Sequence, residues 1–157
     1  MKFLRDENWD NDGYCEYLKS IQHVFDTYTS QFLLTKSLHD GGIKNIELIN
    51  HFDRNREEEI DDPTSIRMNV EHWDGSVYEV VWNKVRRFYF DYDITRNIVF
   101  DTKKIVDEGR SGIDNWGYDE ILITNDNMFS HEIDLLSRTK IFIICREFQI
   151  KPLLNEL

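Results

Sequence analysis

The stretch IRMNVEHWDGSVYEVVW, residues 66–82, decides the fold class of this chain. Apolar and polar side chains largely alternate along 66–73, which is the two-residue period of a β-strand with one buried face. A second β-rich run follows Asp74-Gly75, a dipeptide that two-residue hairpin turns prefer. Residues 66–83 therefore predict an antiparallel hairpin.

The same two-residue period recurs on both sides of this hairpin. It predicts a strand over 43–50, and strand-forming residues continue through 85–92. Residues 97–101 fit either a further strand or the lead into a helix, because DTKKIVDEG at 101–109 resembles a helical segment. The middle of the chain is therefore predicted to be mostly β-structure.

Three further strands are predicted in the last third of the chain, at 118–124, 128–137 and 140–150. Short polar turns join them at 125–127 and around 138–139. Strands joined by turns this short must run antiparallel to each other. The last third therefore predicts a three-stranded antiparallel unit.

A different period marks the beginning of the chain. Four apolar residues recur at intervals of four, three and four: Tyr14, Leu18, Ile21 and Phe25. This spacing is the stripe of an amphipathic helix, and it predicts a helix over about 12–27 with Asp12 as its N-cap. The period is lost afterwards, which predicts a connection that allows one more helical turn near 32–34.

Together these patterns predict an α+β fold. An N-terminal amphipathic helix precedes about seven mainly antiparallel strands, which form a strongly curved sheet or a partly closed barrel within a β-rich region at about 43–150. A chain of 157 residues can bury roughly 68–70% of its unfolded surface in one core. We therefore expect a single domain over 1–157.

The charge of the chain restricts its partners. The formal net charge is −11, from 19 basic and 30 acidic residues. Such a field repels a polyanion, so direct nucleic-acid binding is not expected, whereas a basic protein partner is compatible with it. A simpler interpretation is that the charge keeps the protein in solution.

The sequence predicts a cytoplasmic protein that does not enter the membrane. The first residues lack the apolar core of a signal peptide, and the longest apolar run, IFIIC at 141–145, is far shorter than the roughly 20 residues a membrane helix needs. Cys15 and Cys145 have no paired spacing that would indicate zinc or redox chemistry. We expect free thiols and no cofactor.

Histidine and aspartate residues provide the candidates for a ligand site. His131 shares a strand face with apolar residues, so its side chain is predicted to point inward and to need a partner, either Asp40 or a backbone carbonyl. His39 and Asp40 precede Gly41-Gly42, which permit a turn with positive φ at the junction of helix and sheet. These side chains are therefore either structural, or, as an alternative, a metal or small-ligand site formed by His39, Asp40 and His131.

Catalysis has little support in the sequence. There is no glycine-rich phosphate loop, no nucleophile elbow, and no serine or cysteine with a local base beside it. The carboxylate pairs Asp61-Asp62 and Asp119-Glu120 are the remaining acid–base candidates. We therefore expect a protein that is not an enzyme.

Two acidic stretches, 56–62 and 114–120, form the candidate partner-binding surface. Aromatic side chains ringed by charge are typical of protein interfaces, and Trp116 is expected to be an exposed anchor. The candidate residues are Glu57, Glu58, Glu59, Asp61, Asp62, Trp116, Tyr118 and Asp119. The alternatives are a solvated loop at 56–62 and aromatic residues that close one end of a barrel at 114–120.

Residues 36–150 resemble a family of small, mostly uncharacterised bacterial α+β proteins with an HD…YDE…HEI strand pattern. The residues that carry the resemblance are His39, Asp40, Tyr118, Asp119, Glu120, His131 and Glu132. Arg138-Thr139 stand where that pattern has an Asp-Gly-type turn. The resemblance implies an immunity-type protein, of the kind encoded beside bacterial polymorphic toxins.

The sequence therefore leads to two hypotheses of different classes. The first is a non-enzymatic protein-binding module that occludes a basic partner such as a toxin, with acidic residues steering association. The alternative is a small β-barrel domain that binds a metal ion or small ligand through His39, Asp40 and His131. A purely structural domain, with neither partner nor ligand, is a third interpretation.

Overall fold

The computed structural model describes residues 1–55, 61–96, 98–101, 104–108 and 112–153. In these residues the chain forms two α-helices, α1 (Asn11–Ile21) and α2 (Thr27–Thr35). Its strands are β1 (Leu4–Arg5), β2 (Asn8–Trp9), β3 (Gly42–Asn50), β4 (Thr64–Glu71), β5 (Val77–Phe90), β6 (Ile98–Asp101), β7 (Lys104–Glu108), β8 (Trp116–Ile123), β9 (Phe129–Leu135) and β10 (Lys140–Leu153). The predicted α+β class is confirmed.

Six of the strands form one antiparallel sheet in the order β3-β4-β5-β10-β9-β8. Its centre is the long pair β5–β10, which extends from Ile141 opposite Phe90 to Leu153 opposite Val77. Two further antiparallel pairs, β1–β2 and β6–β7, stand apart from this sheet. The mainly antiparallel arrangement is therefore also confirmed.

The hairpin at the centre of the prediction corresponds to β4 and β5. The turn between them has three residues, 73–75, so the expected two-residue turn at Asp74-Gly75 is wrong: the His72 N–H donates to the Ser76 carbonyl and the Gly75 N–H to the His72 carbonyl. Gly75 ends this turn with a φ of 86°, a conformation that glycine adopts without strain. The strand runs expected on either side of Lys84 are one strand, because β5 continues to Phe90 through Lys84, whose φ is 53°. Farther along the chain, β6 and β7 pair antiparallel, so the helical alternative is wrong at the described residues 101 and 104–108 of that segment.

The predicted N-terminal helix is divided into two. Asp10, not Asp12, caps α1, and its Oδ1 accepts a hydrogen bond of 2.8 Å from the backbone N–H of Gly13. A Cβ on Gly13 would lie 2.1 Å from the other carboxylate oxygen, so this cap requires glycine there. After a 3-10 turn at Gln22–Val24, the carboxylate of Asp26 caps α2. The short helical turn expected near 32–34 is therefore part of a full helix.

Both helices satisfy backbone donors of the sheet. The Tyr14 and Tyr17 hydroxyls of α1 accept hydrogen bonds of 2.8 Å from the N–H groups of Ile121 and Ile123 in the edge strand β8. Helix α2 packs on β10, where the Thr29 hydroxyl accepts a hydrogen bond of 2.9 Å from the Ile150 N–H. Helix α1 thus covers an edge that would otherwise be open to pairing with another chain.

The two outer strands of the sheet meet at one corner. Gly42 of β3 bridges to Asn115, and the N–H of Trp116 donates a hydrogen bond of 2.8 Å to the carbonyl of Gly41. The Asp40 N–H returns a hydrogen bond of 2.8 Å to the carbonyl of Trp116. Among the described residues this is the one bridge between β3 and the residue that precedes β8, and the two strands themselves are not paired, so the sheet does not form a closed barrel.

Buried side chains from both helices and from all six strands of the large sheet form one hydrophobic cluster. Trp82 and Trp116 are the largest fully buried members of that cluster. Within the described ranges, the helices are too short or too polar to cross a membrane.

Candidate functional site

A cavity of about 390 Å³ lies between the two helices and the corner where β3 meets β8. Apolar side chains form most of its walls, among them Leu18, Phe32, Trp116 and Ile150. A volume of this size is within the range of about 300–1,000 Å³ that small-ligand pockets occupy. The cavity is therefore large enough to admit a ligand or a partner side chain.

Three ring-bearing side chains, Trp9, His39 and Tyr118, line the opening of this cavity. Trp9 is 47% exposed and Tyr118 46% exposed, and their ring centroids are 4.6 Å apart with the rings edge to face. His39 stacks on Tyr118 with 4.7 Å between the centroids. We call Trp9, His39 and Tyr118 the aromatic rim.

A hydrogen bond fixes the orientation of His39. Its Nδ1 lies 2.6 Å from the carbonyl oxygen of Gly117, and a carbonyl can only accept, so Nδ1 carries the proton. The other nitrogen, Nε2, is 3.6 Å from the Asp40 carboxylate. The imidazole is therefore held in place by the backbone of β8.

A chain of hydrogen bonds joins four side chains, of which Trp116, Asp119 and His131 line the cavity. The indole N–H of Trp82 donates to Nδ1 of His131 over 3.1 Å, and Nε2 of His131 lies 2.9 Å from Oδ2 of Asp119. The indole N–H of Trp116 donates to Oδ1 of the same carboxylate over 2.8 Å. We call Trp82, His131, Asp119 and Trp116 the buried network.

The buried network determines the protonation of His131. An indole N–H can only donate, so Nδ1 of His131 must accept and the proton lies on Nε2, directed at Asp119. Both ring nitrogens are thus occupied in a residue that is 1% exposed. His131 has no free nitrogen with which to bind a metal or to remove a proton from a substrate.

The inward orientation predicted for His131 is confirmed, but the predicted partner is wrong. Asp119 takes the place expected for Asp40, because the register of β8 and β9 sets Asp119 opposite Ile133 and His131 opposite Ile121. Residues two positions apart across such a pair are diagonal neighbours on one face. The pairing of two predicted strands therefore creates the contact.

The junction at His39-Asp40 also differs from the prediction in detail. Asp40, with a φ of 63°, adopts the left-handed conformation that was expected of the glycines. Gly41 is required for space instead, since a Cβ there would lie 2.7 Å from Cγ1 of Val70 and 2.8 Å from the Leu38 carbonyl. The interpretation of this segment as a structural junction agrees with these contacts.

The proposed metal ligands are not brought together. Asp40 interacts with His39 but not with His131, whose nitrogens are bound within the buried network. Over the described ranges, no three His, Cys, Asp or Glu side chains are grouped closely enough to hold a metal ion. The set of His39, Asp40 and His131 is therefore not a ligand set in this structure.

The structure places the predicted partner-binding residues in different environments. Trp116 is 0% exposed, so its expected role as an exposed anchor is wrong; its indole is bound to Asp119 at the corner of the sheet. Asp62 is bound to two guanidinium groups, Arg86 over 2.9 Å and Arg146 over 2.8 Å, which hold the pKa of its carboxyl below the usual value. Its charge is therefore already neutralised.

The other predicted residues divide between exposed and undescribed positions. Tyr118 and Asp61 are exposed, and Asp119 is partly exposed at the cavity. Glu57, Glu58 and Glu59 lie outside the described residues. Sequence reasoning missed Trp9, whose signal was an isolated tryptophan in the polar run ENWDND.

A serine–histidine pair occurs outside the cavity. Nε2 of His51 lies 2.7 Å from the hydroxyl of Ser65, which is the distance between a nucleophile and its base. Ser65 is 1% exposed, however, so a substrate cannot reach its hydroxyl. This pair is a structural contact between the exposed ring of His51 and the buried hydroxyl of Ser65.

Comparison with known proteins identified no relative among protein-family models or curated proteins.

Proposed function

We propose that this chain is a non-enzymatic binding module that occludes a basic protein partner, in the manner of a bacterial immunity protein. The observation that carries this proposal is the aromatic rim, in which exposed Trp9 and Tyr118 surround the opening of a cavity on a chain with a net charge of −11. Exposed aromatic side chains beside a pocket are the usual anchors of protein interfaces.

The hydrogen bonds of the cavity favour binding over catalysis. Its histidine and aspartate side chains are engaged with one another or with the backbone: His131 with Trp82 and Asp119, and His39 with Gly117. Among the described cavity residues, no serine, threonine or cysteine is hydrogen-bonded to a histidine ring, and the Ser37 hydroxyl accepts only from the backbone N–H of His39. A nucleophile activated by a base, which covalent catalysis requires, is therefore not supported.

Net charge supports the identity of the partner. A field from an excess of carboxylates raises the rate of encounter with a cation by 10- to 1,000-fold at low ionic strength. Asp61 is exposed and is retained as a steering residue with Glu57, Glu58 and Glu59, whereas Asp62 is left out because of its ion pairs. We also infer that the sheet is strongly curved, which the meeting of its outer strands at one corner supports.

The test is to identify a partner and then to measure how strongly its binding depends on the aromatic rim. The immobilised chain would be used to retain proteins of its native lysate, and the retained protein would be purified and its Kd measured at low and high salt. Replacing both Trp9 and Tyr118 with alanine should weaken binding by at least about tenfold, since interface anchors contribute about 2 kcal/mol or more.

Asp126 provides the matched control, because it is exposed in the turn before β9 and does not line the cavity. The substitution Asp126→Asn should leave the Kd unchanged. Failure to retain any basic protein, or equal affinity of the rim variant and the wild type, would refute the proposed function.

A further inference from the structure

We infer that the cavity receives an arginine side chain of the basic partner, with Asp119 as the counter-ion of the guanidinium group; this inference rests on the proposed function. The aromatic rim and the acidic stretch 56–62 leave the Asp119 carboxylate, which lines the cavity, without a role. The hydrogen bonds and charge of this carboxylate, together with the cavity walls around it, determine which chemical groups it can bind.

Asp119 carries a negative charge that the described residues do not neutralise. Its two oxygens accept hydrogen bonds from Trp116 and from His131, and the other ring nitrogen of His131 accepts from Trp82, which is the hydrogen-bond arrangement of a neutral imidazole. No lysine or arginine of the described residues forms an ion pair with it. Lys36, the cationic residue in the cavity lining, is bound to the Tyr78 hydroxyl over 2.9 Å.

The charge of Asp119 acts on its surroundings. Burial, followed by the negative charge of Asp119, raises the pKa of the Tyr14 hydroxyl, which also lines the cavity. The Asp119 side chain is nevertheless 20% exposed, so a group from outside can reach it. A cation placed in the cavity would therefore meet an accessible and unpaired carboxylate.

The buried network leaves part of this carboxylate free for a ligand. An ionised carboxylate has about four acceptor positions, and Trp116 and His131 occupy two of them. The remaining positions suit the two parallel N–H groups of a guanidinium. Because Trp82 and Trp116 hold both ends of the network, His131 acts as a positioning residue that fixes the direction of the free lone pairs.

The walls and the rim fit the rest of an arginine side chain. Leu18, Phe32 and Ile150 line the walls and can pack against its methylene groups. Trp9 and Tyr118 also line the cavity and can contact the part of the arginine residue nearest the partner backbone. At Asp119, the planar and weakly hydrated guanidinium can donate two parallel hydrogen bonds to a carboxylate, which the ammonium of lysine cannot do. These features favour arginine over lysine as the occupant.

The test uses three blocked tripeptides, acetyl-Gly-X-Gly-amide, in which X is arginine, lysine or citrulline. Citrulline has the shape of arginine without its charge, so it isolates the contribution of Asp119. Titration followed by NMR should show saturable binding of the arginine peptide, with shifts at the aromatic rim. The lysine peptide should bind more weakly, and the citrulline peptide at least tenfold more weakly.

Two variants and one chemical probe locate the binding. Asp119→Asn should weaken binding of the arginine peptide at least tenfold, and Asp126→Asn should leave it unchanged. Cys15 is exposed and lines the cavity, so the arginine peptide should also slow the reaction of its thiol with a disulfide reagent. If Asp119→Asn does not fold, the citrulline comparison and the Cys15 rate still decide the question with the wild-type chain.

Equal binding of the arginine and citrulline peptides, or unchanged binding by folded Asp119→Asn, would overturn the inference. Tighter binding of n-butylguanidine than of the arginine peptide would overturn it in favour of a free small cation. These outcomes are distinct from failure of the proposed function, because a partner that depends on Trp9 and Tyr118 could still be retained by a chain that binds no arginine peptide.

Discussion

Replacing His131 with phenylalanine should leave two hydrogen-bonding groups of the buried network without their partner. Trp82 is 0% exposed, so its orphaned indole N–H costs about 1–3 kcal/mol. Asp119 is 20% exposed, so water can partly replace the hydrogen bond that its Oδ2 loses from His131. We expect the free energy of unfolding to fall by about 2–3 kcal/mol, which for a urea slope of about 1–3 kcal/mol/M lowers the midpoint by roughly 1 M.

A double-mutant cycle separates the hydrogen bond from the change in packing. Trp82→Phe removes the donor, so His131→Phe in that background no longer leaves a buried N–H unpaired. The double variant should therefore be less destabilised than the sum of the single variants, by about 1–2 kcal/mol. Urea unfolding followed by circular dichroism gives all four free energies.

Exposed His23 is the control for this cycle, because His23→Phe makes the same substitution at the surface. It should change the free energy of unfolding by less than about 0.5 kcal/mol. Additivity of the Trp82 and His131 variants to within about 0.5 kcal/mol would refute the network, as would a 15N NMR measurement that places the His131 proton on Nδ1.

Three further predictions concern groups outside this network. Glu120 is 1% exposed, and its carboxylate accepts hydrogen bonds from backbone N–H groups of the N-terminal segment. Glu120→Gln should therefore lower the free energy of unfolding by about 2 kcal/mol and speed amide hydrogen exchange in the N-terminal segment. Unchanged exchange in that segment would contradict the role of Glu120 as its anchor. Burial raises the pKa of the Cys145 thiol to about 12, so below pH 9 a disulfide reagent should titrate Cys15 alone in the native protein. The stability due to the neutral Cys145 thiol should be complete below pH 9.0 and be lost as pH rises toward about 12, so wild type should lose more stability over this range than Cys145→Val, which keeps the other titrating groups. Hydrogen bonds from Ser76 and His72 lower the pKa of Asp74 to about 2. Wild type should therefore be more stable than Asp74→Asn above pH 3.8 and lose that advantage as pH falls through about 2. A difference in Tm between the two proteins that stays constant across this range would exclude a stabilising contribution of the Asp74 carboxylate.

Local patterns were sufficient to predict the fold class. Strand alternation and the turn preference of Asp74-Gly75 act between residues close in sequence, and both strands of the hairpin are present as β4 and β5, although the turn has three residues, 73–75, and not two. The division of the N-terminal helix was missed because Phe25 continues the helical spacing, although it is extended before the Asp26 cap. A periodic apolar pattern does not show where a cap interrupts it.

The candidate site could be predicted only in part, because it depends on contacts between distant segments. The strand face of His131 was predicted correctly, but its partner required the register of β8 against β9. The burial of Trp116 required the meeting of β3 with β8, which joins residues far apart in sequence. Such pairings follow from the topology of the sheet and not from any local signal.

The central β5–β10 pair has a consequence for folding kinetics. Each of these strands belongs to a hairpin whose partners are close in sequence, β4–β5 and β9–β10, and such hairpins form within about 1–10 μs. Docking one hairpin on the other closes a long loop, which is the slow kind of step in β-rich proteins. Trp82 lies on the first hairpin and His131 on the second, so the hydrogen bond between them, which completes the buried network at Asp119, can form only once they have docked. The rate at which the cavity becomes able to bind should therefore equal the rate of this late folding step.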